Sequence, residues 1–286
     1  PDLHGCFEWS DVITSVKNLN EISRILKKRR LNDGALSLES PKIVFLFDED
    51  GIPYDSVIRR RKGSEFLVEE FMLLANKTAA EVITRAYPSS ALLRRHPGPN
   101  LRKLREFEAF CNRNGLMLDT SSSAQLHHSF ERIRGELKND SVMFDILMSY
   151  ASRPMQLAAY FCSGDTKDGE SDKSHYALAV PLYTHFTSPL RRYPDIVVHR
   201  TLAATLEAEE TCMKHRESLQ KLDANELMGL KCFTGVQYLK DIVESVEAQE
   251  SLSAAASKHG IPSADIIADV AAHCNDRKLA TRHVSD

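Results

Sequence analysis

The chain has 286 residues, of which 42% are apolar and 27% are charged, a composition typical of a globular protein. No apolar run approaches the roughly 18 residues that a membrane-spanning helix needs, so no membrane partner is expected. The formal net charge of −3 does not indicate a nucleic-acid partner, although a polyanion responds to local clusters of arginine and lysine. The six cysteines form no C-x-x-C pair, which argues against a zinc knuckle or a redox motif.

Hydrophobic periodicity and turn residues predict an α+β fold that is mostly helical. The predicted helices span residues 8–30, 64–85, 100–114, 121–137, 140–152 and 263–284. Residues 195–210 continue a helix that is predicted to start at Pro189, and residues 216–258 are predicted as one long helix or a helix pair. The predicted strands span residues 42–47, 54–60, 91–96 and 176–186, and a polar loop spans 163–174. A few short strands scattered between helices do not make a self-contained sheet. We therefore expect a small, incomplete mixed β-sheet.

An acidic turn, Asp48 to Gly51, separates the first two predicted strands. Clusters of Asp and Gly between strands are typical of hairpin turns, because their side chains bond to nearby backbone and Gly tolerates positive φ. A metal site is the alternative that the same residues leave open.

The helix predicted at 64–85 is apolar nearly all round, so we expect it to be buried. Glu69 and Asn76 fall on one side of it, and Glu70 lies next to that side. A carboxylate in a buried helix is costly unless it is paired or lines a polar cavity. The sequence leaves open whether these carboxylates pair with arginines or face a ligand.

The stretch from residue 183 to 200 carries the strongest functional signal. After the predicted buried strand 176–186, Ser188 is a suitable N-cap and Pro189 suits the first position of a helix. Helix N-termini attract anions, and Arg191 and Arg192 add two guanidinium groups that match phosphate geometry. The local pattern therefore predicts a phosphate site.

Alternatives remain for several residues of this stretch. Arg191 and Asp195 have the i, i+4 spacing of a helical salt bridge. Pro194, inside the predicted helix, removes a backbone hydrogen bond and predicts a bend or an irregular turn there. His185 and His199 are interpreted either as structural residues or as ligand contacts.

Four segments together resemble the catalytic RNB domain of the RNase II family and of the exosome's catalytic subunit. The most specific is 183–193, Tyr-Thr-His-Phe-Thr-Ser-Pro-Leu-Arg-Arg-Tyr, followed by Asp195 and His199-Arg200. The others are residues 68–76, 92–97 and 273–277. The resemblance is greatest to the cytoplasmic, exosome-independent branch that acts on 3′-uridylated RNA, in its plant form.

The resemblance implies a processive, Mg²⁺-dependent 3′→5′ exoribonuclease of cytoplasmic mRNA decay, with P-bodies as a candidate location. Its expected partner is the 3′ end of single-stranded RNA, and no stable protein partner is expected. Arg191 matches the family's arginine at the scissile phosphate and is the candidate catalytic residue. The candidate RNA-binding residues are Glu69, Glu70, Asn76, His185, Ser188, Arg192, Arg94 and Arg95.

The family's metal-binding aspartate cluster has no match in this sequence. In the family that cluster lies upstream of the matched segments, and OB-type barrels flank the domain. We therefore interpret residues 1–286 as a single partial RNB domain that supplies no metal ligand and is inactive alone. The alternatives are a non-catalytic RNA-binding protein derived from the family and a helical scaffold that binds protein.

Overall fold

The computed structural model describes residues 5–38, 42–59, 61–137, 140–165, 173–220 and 245–285. The chain divides into two compact units. The first unit comprises Pro1–Leu73, Pro97–Leu157 and Tyr176–Ala179, and the second comprises Leu74–His96, Ala158–His175 and Val180–Asp286. No described helix is long and apolar enough to cross a membrane.

The first unit is a helical cluster with one hairpin. Its elements are α1 (Trp9–Asn32), β1 (Lys42–Phe47), β2 (Pro53–Arg59), the first half of α2 (Gly63–Ala86), α3 (Leu101–Arg113), α4 (Ser123–Glu136) and α5 (Ser141–Ala151). The side chains of Asn100, Ser122 and Asp140 cap α3, α4 and α5 by accepting a backbone N–H of the first turn. Apolar residues of α3, α4 and α5, among them Phe107 and Phe130, form its core.

The acidic turn of the first unit, Asp48 to Gly51, connects β1 and β2 as the turn of a hairpin. β1 and β2 pair antiparallel, from Lys42 opposite Arg59 towards the turn. The Asp48 carboxylate accepts the backbone N–H groups of Asp50 (3.1 Å) and Ile52 (2.7 Å). Its side chain therefore stabilises the turn, as the hairpin interpretation requires.

The second unit contains a short sheet covered by helices. Its elements are the second half of α2, β3 (Leu92–Arg95), β4 (Ala159–Cys162), α6 (Tyr193–Gln220), α7 (Val246–His259) and α8 (Ala264–Ser285). Ile83 of α2, Leu93 of β3, Val198 of α6 and Ile267 of α8 lie in one core. The predicted break at 260–262 is confirmed, because Gly260 ends α7 in the left-handed conformation (φ 59°).

The mostly helical α+β class is confirmed, but the predicted mixed sheet is wrong. The described strands form two separate two-stranded antiparallel sheets, β1–β2 and β3–β4. The sequence did not predict β4, whose four residues are too few to show a strand pattern. Parts of two other predictions, residues 166–172 and 221–244, lie outside the described residues.

The strand predicted at 176–186 is also wrong. A short 3₁₀ turn spans Tyr176–Leu178, and Ala179 has a positive φ of 52°. Pro181 then lacks the N–H that a strand ladder needs. The expected burial of α2 holds only in part, since Val68 and Leu74 are exposed while Ala80 and Ile83 are buried.

Candidate phosphate-binding site

Helix α6 begins at Tyr193, four residues later than the predicted start at Pro189. Pro194 explains the difference. In a helix that began at Pro189, the backbone N–H of residue 194 would bond to the Leu190 carbonyl, and proline has no N–H. In the first turn of a helix, backbone N–H groups have no partner within the helix, so a proline at that place in α6 costs no hydrogen bond. The prediction of a helix capped by Ser188 is therefore wrong. The bend or irregular turn expected at Pro194 takes the form of a turn at residues 188–192, just before the helix.

Residues 188–192 form a tight turn instead of a helix start. The Ser188 carbonyl accepts the backbone N–H groups of Arg191 and Arg192, each at 3.2 Å. Leu190 is fully exposed at the tip of the turn, and Arg191 beside it is exposed. Within the described residues, the Arg191 side chain makes no hydrogen bond or ion pair. Its guanidinium is therefore available to an anion in solution.

Asp195 anchors this turn from the first turn of α6. Its carboxylate is 0% exposed, and Oδ1 accepts the Ser188 N–H and Arg192 Nη2, both at 2.7 Å. Arg192 Nε lies 2.7 Å from Oδ2, so the ion pair has two points of contact, although Nε and Oδ2 do not form a hydrogen bond. The salt bridge considered between Arg191 and Asp195 is therefore wrong, because Arg192 occupies that carboxylate.

Asn76 of α2 anchors the segment that precedes the turn. Its Oδ1 accepts the backbone N–H groups of Phe186 (2.8 Å) and Thr187 (3.2 Å). Its Nδ2 donates to the Tyr183 hydroxyl at 2.9 Å. This buried amide thus uses both ends to hold residues 183–187, whereas the sequence predicted an RNA contact.

The same segment lies along β3. Arg94 donates its backbone N–H to the Tyr183 carbonyl (2.8 Å), and the Thr184 hydroxyl donates to the Leu92 carbonyl (2.7 Å). The Tyr160 hydroxyl of β4 lies 2.6 Å from His185 Nδ1. Backbone and side-chain bonds to both strands therefore replace the missing strand ladder.

Helix α8 fixes Tyr160 from the far side of β4. The Asn275 side chain accepts the Tyr160 N–H (2.8 Å) and donates to the Tyr160 carbonyl (2.9 Å). The amide thereby pairs with the strand as a neighbouring backbone would. Asn275 lies in one of the segments that carry the family resemblance, but its role could not be inferred from the sequence.

Arg94 and Arg95, both predicted to bind RNA, stack on aromatic rings of β4. The Arg94 guanidinium lies 4.8 Å from the Tyr160 ring centroid, and that of Arg95 lies 5.2 Å from Phe161. Arg94 is only 8% exposed, and this burial lowers the pKa of its guanidinium. Its Nη1 has no hydrogen-bond partner within the described part of the chain.

Two histidines near these arginines are held in the neutral form. Burial, with the charge of Arg94 as a further cause, lowers the pKa of His175 to about 3 and that of His185 to about 2. A neutral His185 ring can accept the Tyr160 hydroxyl at Nδ1. The charged form of either ring would repel the guanidinium groups beside it.

The two carboxylates predicted to contact RNA, those of Glu69 and Glu70, are paired with arginines. Glu70 is buried and accepts from Arg30, with Nη2 to Oε1 at 2.6 Å and Nε to Oε2 at 3.1 Å. Glu69 is partly exposed and lies 2.8 Å from Arg61 Nη2. Of the two alternatives left open by the sequence, the geometry favours the salt bridges. The other predicted site residues all lie in the second unit.

The described residues do not fit a Mg²⁺ site. Among them, no group of three or more His, Cys, Asp or Glu side chains could hold a metal ion. The buried Asp195 carboxylate is already occupied by Arg192 and a backbone N–H. No reaction step is therefore assigned to the ion. The group that the described site offers to an anion is the exposed Arg191 guanidinium on the turn at 188–192.

Comparison with known proteins gives one family and several relatives. The profile of the RNB domain matches residues 4–208. Two Arabidopsis thaliana proteins, named DIS3-like exonuclease 2 and Inactive exonuclease DIS3L2, are each 62% identical to the chain over 286 residues. The match covers 100% of this chain but only 26% of either relative, so the chain spans about a quarter of their length.

Solved structures show the same fold. Mycoplasma genitalium RNase R in complex with ribose-methylated single-stranded RNA matches 91% of this chain and 36% of its own, with a TM-score of 0.58 and 23% identity. Yeast Ssd1, described as a pseudonuclease, matches 82% of this chain and 27% of its own, with a TM-score of 0.50 and 27% identity.

Replacing Asn76 tests its role as an anchor. In Asn76→Ala, two backbone N–H groups and a buried hydroxyl lose their partner, so we expect the free energy of unfolding to fall by about 2–4 kcal/mol. Urea denaturation measures this change. Asn18→Ala, at an exposed position of α1, is the control and is expected to be neutral or slightly stabilising. An equal, small effect of both substitutions would contradict the anchor.

The neutral His175 predicts a stability loss in acid. Its folded-state pKa of about 3 lies below the usual 6.5, so only the unfolded chain gains a proton as the pH falls below 6.5. Stability is therefore complete above that pH and declines by about 1.4 kcal/mol per pH unit towards the folded pKa. Between pH 6 and 5, His175→Gln should remove that part of the decline in urea denaturation. The same decline in His175→Gln and in the exposed control His128→Gln would contradict it.

Proposed function

Because this chain belongs to the RNB domain family, we propose that it is part of a 3′→5′ exoribonuclease that hydrolyses single-stranded RNA from its 3′ end. The chain spans 26% of its Arabidopsis relatives, so the activity is proposed for a longer protein. Within that protein, this segment supplies the phosphate-binding side. The observation that carries the proposal is the exposed guanidinium of Arg191 on the turn at 188–192, which has no side-chain partner among the residues that the structure describes.

Arg191 suits the chemistry of phosphodiester cleavage. A guanidinium presents a fork of N–H donors that matches two phosphate oxygens. Negative charge grows on those oxygens as the nucleophile attacks, and a donor already in position stabilises it without reorganising. We accordingly propose that Arg191 holds the scissile phosphate. Mg²⁺ dependence is proposed for the longer protein only, since the described residues offer no ligand set for the ion.

The location and partners follow from the same family branch. We propose a cytoplasmic protein, present in P-bodies, that takes the 3′ end of single-stranded RNA without a stable protein partner. The support is the 62% identity to a protein named DIS3-like exonuclease 2.

A non-catalytic RNA-binding protein is the second candidate. One of the two relatives at 62% identity is named an inactive exonuclease, and one structural relative is described as a pseudonuclease. Both candidates require the phosphate contact of Arg191. They differ in whether the longer protein cleaves RNA.

The phosphate contact predicts a specific loss of RNA binding. Arg191→Ala should weaken binding of a single-stranded RNA oligonucleotide about tenfold, since a charge-assisted contact is lost. The slope of log Kd against log salt concentration should fall by about 0.7, because one phosphate is no longer neutralised. Arg102→Ala, an exposed arginine of α3, is the control and should leave both unchanged. Undiminished binding by Arg191→Ala would favour the protein-binding scaffold instead.

The chain by itself is expected to leave RNA intact. An arginine stabilises charge on a phosphate but does not generate a nucleophile. We therefore predict no shortening of 5′-labelled single-stranded RNA by the purified chain in Mg²⁺, measured on a denaturing gel. Robust Mg²⁺-dependent 3′→5′ degradation that is lost in Arg191→Ala would contradict this prediction.

A further inference from the structure

We infer that Arg192 and Asp195 are positioning residues, which act on RNA only through the turn that presents Arg191. This inference rests on the proposed role of Arg191 at a phosphate. It separates two adjacent arginines that a simple count of positive charge would treat as equal RNA contacts.

The Asp195 carboxylate is fully buried. A carboxylate with 0% exposure is stable only when it is paired and hydrogen-bonded. Asp195 meets this need with two hydrogen bonds to Oδ1, from the Ser188 N–H and Arg192 Nη2, both at 2.7 Å. Arg192 Nε adds an ion-pair contact to Oδ2 at 2.7 Å, although these two atoms do not form a hydrogen bond. These contacts close a loop from residue 188 to residue 195 and restrain the backbone between them.

The Arg192 guanidinium is already engaged by the Asp195 carboxylate. Its Nε and Nη2 both face Asp195, and its side chain is only 17% exposed. Binding a phosphate with this fork would require breaking a buried ion pair. Its charge is also neutralised within the protein, so it releases no counterion when RNA binds. Arg191, which is exposed and has no side-chain partner within the described residues, differs in both respects.

A helix N-terminus offers unpaired backbone N–H groups to an anion, but three such groups in this turn are already hydrogen-bonded. The Ser188 N–H is bound to Asp195, and those of Arg191 and Arg192 are bound to the Ser188 carbonyl. With these three donors satisfied internally, the side-chain donor that the turn presents to a phosphate is the exposed guanidinium of Arg191. The position of that side chain depends in turn on the Arg192–Asp195 pair.

A double-mutant cycle on RNA binding tests the inference. The purified chain binds a single-stranded RNA oligonucleotide as wild type, Arg191→Ala, Arg192→Ala and the double variant. We expect Arg192→Ala to weaken binding about tenfold in the wild-type background but no more than about twofold in the Arg191→Ala background. Two independent phosphate contacts would instead multiply their effects to about a hundredfold, with a slope loss of about 0.7 for each arginine. That result would overturn the inference.

Arg192→Lys distinguishes a positioning fork from a simple charge. Lysine keeps the charge beside Asp195 but cannot make the two-point pair, so we expect a loss close to that of Arg192→Ala. Wild-type affinity in Arg192→Lys would overturn the inference, and this variant retains a cation beside the buried carboxylate if Arg192→Ala does not fold. Unchanged binding by Arg191→Ala would overturn the proposed function itself.

Discussion

A buried carboxylate, that of Asp195, sets the geometry on which the candidate site depends. Its charge is stable only because Arg192 and the Ser188 N–H surround it. Removing one partner of such a pair costs about 3–5 kcal/mol, so the turn at 188–192 is held in one conformation before any ligand arrives. The phosphate contact proposed for Arg191 would then require little ordering of the turn, which favours binding.

The rest of the second unit holds this turn from several distant parts of the chain. Asn76 of α2 binds the segment before the turn, while β3 and β4 bind it through Leu92 and Tyr160. Asn275 of α8 in turn fixes the backbone of Tyr160. The exposed position of Arg191 is therefore the product of a buried polar network.

The sequence predicted the elements better than the contacts. Apolar periodicity and turn residues placed α3, α4 and α5 within a few residues of their bounds, and the four matched segments identified the family. The start of α6 was missed because Ser-Pro resembles a helix start, whereas Pro194 decides it. The two arginines could not be told apart, because the direction of each side chain depends on the turn. Partners such as Asn76 and Tyr183, 107 residues apart, depend on the tertiary fold.

Arginine side-chain NMR tests the central claim directly in the unaltered protein. The Nε–H signals of an isotope-labelled chain are followed as single-stranded RNA is added, with Arg191→Lys and Arg192→Lys used for assignment. The account predicts that the Arg191 signal shifts on binding. The Arg192 signal should be protected from exchange before RNA is added, and it should stay in place. A shift of Arg192 with an unchanged Arg191 would contradict the account.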